Sequence, residues 1–211
     1  MEFPVTVLSA SPHKNGATRT FANRLVESLE VHDVHVRLLD LTEVGRLRAC
    51  VGCGYCNKSG KCIFEANERA SEPVSGFSAL YDALEQTQML VIVAPVYFAG
   101  PPALYKAFLD RMQPFWVQRY MLQTRPPLLH SQRKPLILAV QGGGGDPFGY
   151  EPLVTCTKSA MRMLNFELQA VVDCIRQDHG DQENLPGLLQ TQQAVLDILN
   201  STLPAEEETY E

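Results

Sequence analysis

The chain has 211 residues, 45% of them hydrophobic and 20% charged, with a formal net charge of −6. That length suits one α/β domain with a sizeable core, and the acidic balance argues against nucleic acid, whose partners usually present a basic face. No segment approaches the roughly 18 apolar residues of a membrane span, and no basic stretch followed by a long apolar run opens the chain, so a soluble cytoplasmic protein is expected. Six cysteines without an export signal then imply a reducing compartment, where clustered thiols hold metal or do redox work more often than they form disulfides. Cys156 and Cys174 stand apart and read as structural.

In chain order, Val5 to Leu8 is a short apolar run, Ser9 to Thr18 a turn, and Thr18 to Leu29 a helix with Phe21, Leu25, Val26 and Leu29 on one face. Val34 to Asp40 reads as a second strand, Leu80 to Gln86 as a helix, and Met89 to Ala94, apolar throughout, as a central parallel strand. Pro101 and Pro102 mark the start of a helix over Ala103 to Arg111, with Leu104, Phe108 and Met112 at helical spacing. Two more units follow: a strand at Pro135 to Val140 with a helix over 152–164, and a strand at Glu167 to Val172 with a helix over 188–199. Alternation of this kind predicts a five-stranded parallel sheet with helices on both faces, a three-layer α/β/α sandwich joined by right-handed crossovers. The domain is expected over 1–203, followed by an acidic tail at 204–211 that carries Glu206, Glu207 and Glu208. Two connections, a cysteine-rich insertion at 42–75 and the stretch 113–134, exceed the about 2–6 residues usual in such units and are expected to build the site.

The turn after the first strand reads Ser9-Ala10-Ser11-Pro12-His13-Lys14-Asn15-Gly16-Ala17-Thr18. It falls at the carboxyl edge of the sheet, where open α/β folds bind ligands and a helix N-terminus favours an anion. Neither the Gly-Lys-Ser/Thr ending of a triphosphate loop nor G-x-G-x-x-G is present. The hydroxyls of Ser9, Ser11 and Thr18, with backbone amides around Asn15 to Thr18, can hold a monoester phosphate such as that of flavin mononucleotide (FMN); an ordinary turn whose Ser and Thr cap a helix would read the same way.

Cys50, Cys53, Cys56 and Cys62 follow a C-x2-C-x2-C-x5-C spacing. Three thiols within seven residues suit a 4Fe-4S cluster, although Ile63 stands where bacterial cluster motifs carry proline. Zinc ribbons usually separate two C-x-x-C knuckles by about 15 residues or more, so zinc fits less well; a thiol-rich loop or subunit contact is the remaining reading. Gly52, Gly54 and Gly60 would allow tight turns, and Arg46, Arg48, Lys58 and Lys61 would offset cluster charge. His32 and His35 have no matching ligand pair, and neither Ser-His-Asp nor H-E-x-x-H appears.

After the buried strand comes Ala94-Pro95-Val96-Tyr97-Phe98-Ala99-Gly100-Pro101-Pro102, continuing through Lys106 to Asp110 and Arg111. This closely resembles the P-V-Y…K-x-x-x-D-R signature of the NADPH-dependent FMN reductase-like family of the flavodoxin fold. The first turn is similar to that family's S-x-S-P-x-x-x-G-x-T loop, and the cysteine segment resembles its iron-sulfur flavoprotein branch. The resemblance covers residues 3–175 and implies a flavodoxin-like sheet of order 2-1-3-4-5, with FMN at the crevice between the first and third strands. By position it implies that Ser11, His13, Asn15, Gly16, Ala17 and Thr18 surround the phosphate, while Pro95, Val96, Tyr97, Phe98 and Ala99 border the isoalloxazine ring. Gly142, Gly143, Gly144, Gly145 and Asp146 would form a third flavin loop. Ala17 stands where relatives often carry Asn, and Ile63 to Glu68 replaces their acidic stretch after the last cysteine. Lys106, Asp110 and Arg111 read as structural or helix-capping, with solvated charges.

The expected function is an FMN-dependent oxidoreductase that passes electrons from NAD(P)H or a redox partner through FMN to a small acceptor such as a quinone or flavin. In such a scheme the cofactor does the chemistry and no side-chain acid or base is named. The alternative is an electron-transfer flavoprotein that exchanges electrons with a ferredoxin-like protein and has no small substrate; a thiol redox sensor is a third. The resemblance implies a homodimer or homotetramer. Phe115, Trp116, Tyr120 and Met121, in the second long connection, read as packing or as a lid or subunit contact.

Overall fold

Five runs rich in Val, Leu and Ile become one parallel sheet: β1 (Val5–Ser9), β2 (Val36–Asp40), β3 (Met89–Pro95), β4 (Lys134–Gly142) and β5 (Phe166–Ile175). Their order is β2-β1-β3-β4-β5, with every neighbouring pair parallel, as the flavodoxin-like expectation requires. The computed structural model describes residues 5–44, 47–65, 77–126, 133–144, 146–175 and 185–202; the acidic tail, Arg46, Gly145 and the end of the cysteine-rich insertion lie outside them. Around the sheet stand α1 (Ala17–Glu30), α2 (Cys56–Ser59), α3 (Phe77–Gln86), α4 (Ala103–Asp110), α5 (Gln113–Tyr120), α6 (Glu151–Met161) and α7 (Leu185–Thr202), with a 3-10 turn at Arg162–Leu164.

Strand alternation divides the core into two layers. On one face Leu8, Leu90, Ile92, Leu136 and Leu138 pack against Tyr81 and Leu84 of α3, Tyr105 and Phe108 of α4, and Leu153 of α6. On the other, Val5, Val7, Val91, Val93, Ile137 and Ala139 meet Phe21, Leu25 and Leu29 of α1 and Val195 of α7. Each large apolar side chain so buried contributes about 1.5–3 kcal/mol, and β1 and β3, covered on both faces, are buried along their whole length. Opposite Leu136 and Ile137 the pairing of β5 skips Gln169. The extra residue reverses the strand's alternation, so that Phe166 and Leu168 join the first layer and Ala170, Val172 and Cys174 the second.

Helix α5 occupies the start of the stretch that the sequence leaves as a long connection. Its buried positions, Pro114, Phe115, Val117 and Arg119, do not form a regular helical stripe, and Pro114 is tolerated because it sits in the first turn. Arg119 holds this helix to the base of the sheet, donating to the Met163 carbonyl at 3.1 Å and to Asn165 Oδ1 at 2.8 Å. Among the described residues no helix is long and apolar enough to cross a membrane.

Candidate functional site

At the carboxyl edge of the sheet, Ser9 ends β1 between Asp40 and Val93. The Ala10 amide donates to the Val93 carbonyl at 2.9 Å, carrying the pairing one residue beyond the strand. The chain then curls: Ser11 Oγ donates to the His13 carbonyl at 2.8 Å and accepts from the His13 amide at 3.1 Å. Gly16 caps α1 with no side chain bonded to the helix end, and the Thr20 amide makes the first helical bond, to the Gly16 carbonyl at 3.1 Å. The amides of Ala17, Thr18 and Arg19 are therefore the first-turn donors for which a helix has no carbonyl, at its positive end. A Cβ at Gly16 would stand 3.3 Å from both His13 Cβ and Ser11 Oγ, so a side chain there would crowd the turn. Thr18 is buried; His13, Lys14, Asn15 and Ala17 form an exposed rim. The Ser9 hydroxyl is buried without a hydrogen-bond partner, and so is Gln141 Nε2 at the tip of β4. Buried polar groups are rarely left unmatched in this way.

A second turn follows β3. The Val96 amide donates to the Gln141 carbonyl at 2.9 Å, tying the tips of β3 and β4 together. Tyr97 and Gly100 exchange hydrogen bonds of 2.9 and 3.0 Å around Phe98 and Ala99, whose φ angles are +50° and +61°. Two consecutive non-glycine residues in the left-handed region are uncommon, and such pairs concentrate at sites where neighbours over-determine the backbone. One such neighbour is α6, whose Leu153 amide donates to the Ala99 carbonyl at 3.2 Å. The side chains of Tyr97 and Phe98 face solvent, Phe98 completely. Gly142, Gly143 and Gly144 leave β4 as a third turn. Gly144, at φ +78°, takes a conformation that favours glycine, whereas a Cβ at Gly142 would meet Val96 Cβ at an ordinary 3.7 Å.

A second region lies along the other end of α4. Asp40, buried at the end of β2, pairs with Arg19 and accepts from the Thr42 amide at 2.6 Å, where the cysteine-rich segment begins. Cys50, Cys53, Cys56 and Cys62 line one cavity of about 430 Å³ whose far wall includes Arg111, Gln113 and Pro114. All four are free thiols; Cys50 and Cys53 are exposed, Cys56 and Cys62 partly buried. Burial pushes the Cys56 thiol up, a backbone hydrogen bond opposes it, and Cys50, Cys53 and Cys62 add to the rise. Among the described residues no three His, Cys, Asp or Glu are arranged to ligate a single metal ion. The donor set itself, four thiols around one cavity, is of the soft kind that zinc and iron-sulfur clusters take. The segment is held by α2, which ends at Gly60 with φ +66°; a Cβ there would stand 3.2 Å from Gln118 Cγ. Gln118 Nε2 donates to the Gly60 carbonyl at 2.6 Å.

Residues 3–147 match the model of the NADPH-dependent FMN reductase family. The chain belongs to that family. Among curated relatives, an iron-sulfur flavoprotein of Clostridioides difficile strain 630 is 32% identical over 109 residues, 51% of this chain and 44% of the relative. An iron-sulfur flavoprotein of Methanocaldococcus jannaschii is 22% identical over 107 residues, 51% of this chain and 50% of the relative. The chain thus spans about half the length of the curated relatives it matches. The fold is shared with the NAD(P)H:quinone oxidoreductase of Methanothermobacter marburgensis, at a TM-score of 0.61 and 14% identity, covering 94% of this chain and 100% of that one.

In this member of the FMN reductase family the sequence-predicted residues fall into two groups. Ser9, Ser11, Gly16, Thr18, Pro95 to Ala99 and Gly142 to Gly144 gather at the strand tips, with His13, Asn15 and Ala17 at their rim; the four cysteines gather in the separate cavity. Lys106 and Asp110 form an exposed i,i+4 pair, as expected of helix charges. Arg111 does not: it is 1% exposed and lines the cysteine cavity. A signal was available, since Arg111 lies four residues after Ala107 and three after Phe108, on the helix face that packs inward. Trp116, Tyr120 and Met121 are exposed, and Trp116 and Tyr120 lie 5.6 Å apart; Phe115 is core, edge-on to Tyr81 at 4.9 Å.

Proposed function

We propose that the protein is an FMN-dependent NAD(P)H oxidoreductase with a quinone or flavin as acceptor, and that its four clustered cysteines hold a 4Fe-4S cluster. The observation that carries the flavin reading is the buried, unpartnered Ser9 hydroxyl under a turn of free helix-end amides at the sheet's switch point. Ser9, Ser11 and Thr18, with the amides after Gly16, would receive the phosphate, while His13, Asn15 and Ala17 border it. Pro95, Val96, Tyr97, Phe98 and Ala99 would line one side of the ring and Gly142, Gly143 and Gly144 another. FMN, when bound, supplies an electron carrier able to accept a pair and release electrons singly or together. The chain's part is to bind, orient and limit water at the edge, and no side-chain acid or base is assigned. In the overall reaction NAD(P)H and a quinone with one proton give NAD(P)+ and the quinol.

Exposure of Cys50 and Cys53 at the cavity mouth favours a second reading, one-electron exchange with a ferredoxin-like protein through the cluster. The two readings part in one assay. The flavin-loaded protein is mixed anaerobically with NADH or NADPH and a soluble quinone, and then with reduced ferredoxin. Steady nicotinamide oxidation supports the oxidoreductase; reduction by ferredoxin alone supports the carrier; failure of the protein to retain FMN contradicts both.

A further inference from the structure

We propose that Arg111 is the electrostatic positioning residue of the cysteine cavity, a buried cation that holds both flanks of the cysteine segment and raises the reduction potential of the cluster bound there. This rests on the cluster reading given above. Of the charges that the sequence offers for offsetting a cluster, Arg46 lies outside the described residues, and Arg48, Lys58 and Lys61 are exposed, where water and salt weaken their field. Arg111 is 1% exposed and lines the same cavity as all four thiols, so water screens its charge less than it screens those of Arg48, Lys58 and Lys61.

Its contacts bracket the motif. Nη1 donates to the Arg48 carbonyl at 3.2 Å, two residues before Cys50. The guanidinium also stands 5.7 Å from the centroid of the Phe64 ring, two residues after Cys62. The backbone of Arg111 is fixed as well: its carbonyl accepts from the Tyr81 hydroxyl at 2.6 Å, and it closes α4, where the negative end of the helix favours a cation. Lysine would keep the charge but not the planar fork that reaches a carbonyl while lying against a ring. Reduction adds an electron to a cluster, so a fixed cation beside it stabilises the reduced form and moves the potential up.

The test compares wild type, Arg111→Met and Arg111→Lys, purified without oxygen, loaded with FMN and reconstituted with iron and sulfide. Three quantities are read: bound flavin, which reports an intact fold; iron and sulfide per chain; and the cluster midpoint potential from a dithionite titration followed by electron paramagnetic resonance. The expected result is a midpoint shifted negative in R111M and largely restored in R111K, with flavin unchanged. R111M that keeps its flavin but loses iron that R111K retains also supports the proposal, because charge separates the two. A midpoint in R111M equal to wild type at equal iron content overturns it. Wild type that binds FMN but takes up no iron defeats the cluster reading and the proposal together while leaving the flavin site standing. Should R111M fail to bind flavin, R111Q, neutral but still a donor, makes the same comparison.

Discussion

The strand-tip edge and the cysteine cavity lie on one domain but are held in different ways. At the edge, Ser9, Val96 and Gln141 are placed by parallel pairing that runs through a core buried on both faces, so every position has neighbours that fix it. Around the cavity, the contacts seen among the described residues between the segment carrying Cys50 to Cys62 and helices α4 and α5 include those of the Arg111 and Gln118 side chains. A site built on strand ends inherits the stability of the whole sheet, whereas one clipped to helices by single side chains can open without unfolding the domain. Loss of order around the cavity is therefore expected to leave the edge in place.

The contrast should break most completely in the element the two regions share. Phe108 of α4 is fully buried and stacks on Tyr105 at 6.1 Å; Phe108→Ala is expected to cost about 3–5 kcal/mol in chemical denaturation and to lower flavin and iron content together. Next in size, Ser9→Ala should weaken FMN about 10–100-fold by calorimetric titration, the loss of one hydrogen bond to a charged group. Stability without ligand should not fall, because the Ser9 hydroxyl has no partner to lose. Iron content should also be unchanged, which sharpens the separation of the two regions. Gly60→Ala should act in the opposite sense. With φ at +66° and Gln118 Cγ 3.2 Å from the new Cβ, it is expected to cost about 1–2 kcal/mol and to speed hydrogen exchange in the cysteine segment, with FMN affinity within about twofold of wild type.

The smallest effect is expected far from both regions, at the start of β4. Lys134 donates to the Leu84 and Glu85 carbonyls, but burial pushes it down to about 8 from the ordinary 10.5. Between those values the unfolded chain binds the proton more firmly than the folded one, so stability should rise as pH climbs through that window. Partial exposure limits the gain to about 1 kcal/mol, and Lys134→Met should abolish it without altering flavin content.

The strand-tip edge was largely legible because β1, β3 and the middle of β4 are buried and read as mainly apolar runs, which puts Ser9, Pro95 and Gly142 at or just beyond their ends. The left-handed pair Phe98 and Ala99 was not legible, since neither is the glycine or asparagine that usually announces such a turn. For the cavity, the cysteine spacing identified the thiols but not their partner. A charged residue at a helix end reads as solvated, and only the inward-facing register of Ala107 and Phe108 gives Arg111 away. Helix α5 escaped because its buried residues follow no regular period.

The most direct test of two separable sites counts flavin, iron and acid-labile sulfide on anaerobically purified wild type and Cys53→Ser. The account predicts about one FMN per chain in both proteins, with about four irons in wild type and few in the variant. Wild type without flavin, or a variant that loses flavin along with iron, would contradict it.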